Sequence, residues 1–182
     1  MARHIWKGLA TLLGMALIAM PAAASEWWFV NSGPGRVVFI DAKSIDRKKD
    51  MVTYWTMYVI RPGEPQVMMK THMRAHCTRR TLSFLEQFKY DAQGRAIGQS
   101  PTRPSPMQRV PPDSLGDAEM NFACGDDGDH VANDQFRMEV DEVKFAEALI
   151  AAGDKAEQAH DLHDALAGKA QPQPVADTDT PE

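Results

Sequence analysis

VMMKTHMRAHC, residues 67–77, alternates from end to end. Successive side chains of a strand point to opposite faces. Met69, Thr71, Met73, Ala75 and Cys77 therefore share one face, and Lys70, His72, Arg74 and His76 share the other. The first set is mostly apolar and ends in a cysteine, which directs it to a core. The second is a basic row.

The flanking sequence extends this strand into a sheet. Residues 51–60 (MVTYWTMYVI) are rich in the β-branched and aromatic types that suit a pleated surface. Residues 81–90 read as another strand, with Leu82, Phe84, Phe88 and Tyr90 on one side and Glu86 interrupting it. Trp27 to Val30 and Val37 to Ile40 are two shorter strands around the turn cluster Asn31-Ser32-Gly33-Pro34-Gly35. Ser44 to Asp50 reads as a polar surface turn, Arg61-Pro62-Gly63-Glu64-Pro65 as a breaker, and Asp91-Ala92-Gln93-Gly94 as a hairpin end. Five prolines at 101, 104, 106, 111 and 112 predict an extended surface connector without regular structure.

Helices are predicted only after the sheet. Asp113 or Ser114 is placed to cap a short helix to about Phe122, with Asp117 near its positive end. A last short strand is predicted at Phe136, Met138 and Val140. Asp141 caps a helix from Glu142 to Ala152, with Val143, Ala146, Leu149 and Ile150 as its stripe and Gly153 as its stop. Asp154 and Glu157 are cap candidates for a thinner Ala-rich helix to Leu166. The fold class is α+β: an antiparallel sheet of about five or six strands, a short helix after it, and one or two C-terminal helices. A sheet covered on one face leaves the other wet or open to a partner.

The chain of 182 residues opens with Arg3, His4 and Lys7, an apolar run from Leu9 to Met20, and Pro21-Ala22-Ala23-Ala24. That is the pattern of a secretory signal cleaved after Ala24. The apolar run is too short for a transmembrane span. No cysteine follows the cleavage point, so no lipoprotein anchor is expected, and the destination is periplasmic or secreted. Past residue 24 the chain holds 18 Lys and Arg against 25 Asp and Glu. Residues 26–125 carry 14 basic and 10 acidic groups, whereas residues 126–182 carry 4 and 15. The expected organisation is signal 1–24, domain 25–125, acidic helical extension 126–170 and disordered tail 171–182. Cys77 and Cys124 are the only cysteines, and in an oxidising compartment one disulfide is expected.

Several pieces together resemble the surface-adhesin protein E family: Trp28, FIDAKSIDRKKDMVTYW (39–55), Cys77 at the end of a long strand, KYDAQG (89–94) and VPPDSLGDAEMNFAC (110–124). The resemblance spans roughly residues 26–125. It implies a small exported antiparallel sheet with a closing helix. It also implies a non-catalytic adhesive role toward host matrix and plasma proteins such as vitronectin and laminin. The missing lipoprotein cysteine and the acidic extension of about 57 residues depart from that pattern.

Lys70, His72, Arg74 and His76 are the candidate ligand-binding residues, suited to a protein or an anionic glycan or lipid. They make a poor metal site, since His72 and His76 stand about 13 Å apart along a strand. Arg47-Lys48-Lys49 reads as a solvated turn. The aromatic interleaving and large positive charge of a nucleic-acid binder are absent. Asp126, Asp127, Asp129 and His130 lack calcium-loop spacing. His160 and His163, with Asp161 and Asp164, are the remaining metal candidates, and a metal-dependent hydrolase using the loop and helix histidines, His130 with His160 and His163, is one alternative function. Another is an envelope factor that docks a partner through the acidic extension. Trp28 and Trp55 are core residues or the lining of a ligand groove. No nucleophile elbow and no phosphate-cradling loop occur, and no cofactor is expected.

Overall fold

The computed structural model describes residues 25–61, 67–100, 103–125, 134–153 and 158–169. The expected signal segment, the 126–130 acidic cluster, the Asp154 and Glu157 caps and the expected disordered tail lie outside them. Strands β1 (Trp27–Gly33), β2 (Arg36–Lys48), β3 (Met51–Ile60), β4 (Met68–His76), β5 (Thr81–Tyr90) and β6 (Ala96–Gln99) form an antiparallel meander. β7 (Gln108–Arg109) pairs with the start of β5, and β8 (Phe136–Arg137) pairs with β1 at the other edge. Helices α1 (Leu115–Cys124), α2 (Glu142–Ala151) and α3 (Ala159–Leu166) complete the α+β fold.

Tight turns explain the meander. Gly35 at φ +71° closes the β1–β2 hairpin, in a region glycine enters without steric cost. Asp91 closes β5–β6: its Oδ1 accepts from the backbone N–H groups of Gln93 and Arg95, and its Oδ2 from Arg95 Nε at 2.7 Å. Those bonds hold the Asp91 carboxyl below its ordinary pKa, the Arg95 backbone N–H first among them.

Three expectations change. Ser44 to Lys48 is strand rather than turn, because a bulge between Asp41 and Asp46 lets β2 resume pairing with β3. The turn shrinks to Lys49 and Asp50. Among the described residues the sheet has eight strands rather than five or six, since β6 and β7 are too short to leave a periodic signal; β8 falls at the expected last short strand. The proline-rich connector carries β7, with the Ser105 N–H donating to the Phe84 carbonyl.

Both faces of the sheet carry helices, not one. On the first, Met120, Phe122 and Ala123 of α1 pack on Val38, Ile40, Val52, Tyr54, Met73 and Ala75. Ser114 caps α1 by accepting from the Asp117 N–H. The Cys77–Cys124 disulfide joins the end of β4 to the last turn of α1. On the second face, Phe145, Ala146 and Leu149 of α2 pack on Phe29, Val37, Phe39, Met57 and Val59. α3 adds Ala159 and His163 to that side. A helix whose apolar stripe meets an apolar sheet face stays docked for burial, not propensity. Asp141 starts α2, its Oδ1 accepting from the Lys144 N–H at 2.9 Å. Asp141→Ala is expected to lower stability by about 1 kcal/mol, read as a reduced urea midpoint.

Candidate ligand-binding face

The β4 alternation sorts as expected. Thr71, Met73 and Ala75 are buried toward α1, while Lys70, His72, Arg74 and His76 lie on the α2 face. That face is not a bare basic stripe. α2 covers its β2–β3 part, and the four residues stand beside the helix, each half-buried.

Register explains what surrounds them. Trp27, Asp41, Trp55, His72 and Glu86 lie opposite one another across β1 to β5. The next row is Phe29, Phe39, Met57, Lys70 and Phe88. Lys70 thus extends a row whose first three members are core beneath α2. Its Nζ sits 5.5 Å from the Trp27 ring centre and 6.0 Å from that of Tyr90. Ring quadrupoles attract an ammonium at such distances. The Trp55 and His72 rings stack at 5.0 Å, and His72 Nδ1 lies 3.6 Å from Glu86 Oε1.

A pocket of about 370 Å³ opens here, lined by Trp27, Asp41, Trp55, Lys70, Phe88 and Tyr90, with Ser25 at its border. Asp41 is held in place by its neighbours: its Oδ1 accepts from the N–H of Glu26 at 2.8 Å and of Lys43 at 3.2 Å. Glu142, at the start of α2, has its carboxyl pKa raised chiefly by burial, and the charge of Lys70 partly offsets the shift. Further along the row, Arg74 Nε and His76 Nδ1 are enclosed without a hydrogen-bond partner.

Periodicity alone misassigned half of β5. A bulge at Leu85 shifts the register between His72 and Met73. Leu82 and Phe84 consequently face α1, whereas Glu86, Phe88 and Tyr90 turn to the opposite face, beside His72 and Lys70. Trp28 packs against Phe122, 5.8 Å between ring centres, so Trp27 rather than Trp28 joins Trp55 in the pocket.

The other candidates are tied into the scaffold. His163 is buried, its Nε2 accepting from the Glu139 N–H at 3.1 Å and its Nδ1 lying 3.3 Å from Asp164 Oδ1. With Nε2 so engaged, His163 cannot join His160 in holding an ion; both rings flank Phe136. Among the described residues, no group of three or more His, Cys, Asp or Glu is arranged to hold a metal. Arg47 donates to the Gly125 carbonyl at 2.9 Å, and Lys48 pairs with Asp46 at 2.7 Å. Among the described residues no helix is long and apolar enough to cross a membrane.

One buried group was missed altogether. Glu119 of α1 is fully enclosed and receives hydrogen bonds from the hydroxyls of Tyr54 and Tyr58. Burial raises its pKa to about 7, against the opposing effect of those bonds. The signal was present in the helix stripe, because Leu115, Glu119 and Phe122 share one face at helical spacing.

Residues 27–125, from β1 through α1, match the family model described as Surface-adhesin protein E. No curated protein and no solved structure matches the chain.

Proposed function

From the chain's membership of the surface-adhesin protein E family, we propose an exported, non-catalytic binding protein that recognises its ligand through the α2 face of the sheet. The family match carries this reading. The geometry supports it with aromatic surface and a lysine among rings on one side of the molecule. Lys70, His72, Arg74 and His76 supply the positive character of the contact. Export with cleavage after Ala24 releases the domain into an oxidising compartment, where the disulfide is stable.

The test is binding of the purified protein to immobilised laminin and vitronectin. Lys70→Ala with Arg74→Ala is expected to weaken capture by about tenfold. The domain should stay folded, since Arg74 Nε has no hydrogen-bond partner to orphan. Capture is expected to weaken as salt rises through the physiological range. Equal capture by parent and double variant would reject this face. Deleting residues 126–182 is not an equivalent experiment, because it removes Phe145 and Leu149 from the core.

A further inference from the structure

Resting on that reading, we infer that the pocket between Trp27, Trp55, Phe88 and Tyr90 seats an acidic pyranose, a hexuronate or sialate residue of a glycan. Four aromatic rings in a space of about 370 Å³ provide flat apolar walls, and the volume falls at the small end of ligand sites. A pyranose presents one face of C–H groups to such walls. Neutral apolar ligands would leave two polar groups of the lining unused. The Lys70 ammonium lies within ring range of Trp27 and Tyr90, so the cation position of the aromatic cage is already filled from within the chain. A second cation is repelled from it, and a carboxylate is drawn in. Asp41 is the complementary acceptor. It is largely buried, and its Oδ1 is fixed by two backbone N–H groups. It would take a hydroxyl donor and repel a second anionic group. A ligand that has a carboxylate, hydroxyls and an apolar ring face together is a sugar acid. The half-buried Lys70 makes its contact away from bulk water, where a charge-assisted bond is worth most.

The experiment titrates the exported protein with free glucuronic acid, N-acetylneuraminic acid and glucose, following tryptophan emission and calorimetry. Saturable millimolar binding of at least one acid is expected, with glucose about tenfold weaker or silent. Lys70→Met, which keeps the apolar stem, and Trp55→Ala are each expected to weaken the acid by about tenfold, with circular dichroism confirming the fold. Arg103→Ala, an exposed residue outside the pocket, is expected to leave it unchanged. Glucose binding as tightly as glucuronate on the unaltered protein would overturn the inference, and needs no variant. So would silence toward both acids, or an acidic peptide that displaces the sugar at lower concentration. Silence toward sugars with Arg74-dependent capture of laminin intact would sink this pocket and spare the proposed function. Sugar binding without matrix capture would do the reverse.

Discussion

Removing the Cys77–Cys124 disulfide is expected to lower the unfolding free energy by about 4 kcal/mol. The bond spans 47 positions, so without it the unfolded chain regains the freedom of a long loop. The native consequences are local. α1 lies over β1 to β4, and the bond fixes its last turn to the end of β4. Met120, Phe122 and Ala123, all fully enclosed, depend on that helix staying down. Urea unfolding of Cys77→Ser with Cys124→Ser against the parent measures the effect. A midpoint that does not move would show that side-chain packing alone holds α1.

Raising the pH from 4.5 to above 7 is expected to cost about 3 kcal/mol at Glu119 alone. Its folded pKa, about 7, lies above the unfolded value of 4.5. Between those two pH values the native state holds a proton that the unfolded state has released. Stability is therefore full below 4.5, falls as pH rises through the window, and levels off above 7. Glu119→Gln keeps an acceptor for Tyr58 and removes the titration. The stability of E119Q minus that of the parent should climb by about 3 kcal/mol across the window. A flat difference would mean that Glu119 is ionised in the fold at pH 5. The subtraction isolates Glu119 from Asp91 and Glu139, whose carboxyls are shifted the other way.

What could be read from the sequence follows from where period two holds. β4 has no internal bulge, so Lys70 to His76 were assigned to the correct face residue by residue. In β5 the extra residue at Leu85 reverses every later side chain, which hid Phe88 and Tyr90 as neighbours of Lys70. β1 has a similar shift between Phe29 and Asn31. The Asp141 cap, the α2 stripe and the Gly153 stop were legible because they are local. The second helical cover was not, because its target is assembled from Phe29, Phe39 and Met57 on three strands. Asp41 carried no signal of its own in the sequence. Its place beside Trp27 and Trp55 comes from the β1–β2–β3 register, which sets three residues distant in the chain opposite one another.

Both helical covers follow the sheet in the chain, and α2 comes well after α1. A ribosome therefore delivers the whole meander through Gln99 before Phe145 exists. At roughly 5–20 residues per second, that leaves the α2 side uncovered for on the order of several seconds. Phe29, Phe39, Met57 and Val59 are then a vectorial liability, exposed to other nascent chains. A chain truncated before Phe145 leaves that face uncovered and is expected to aggregate.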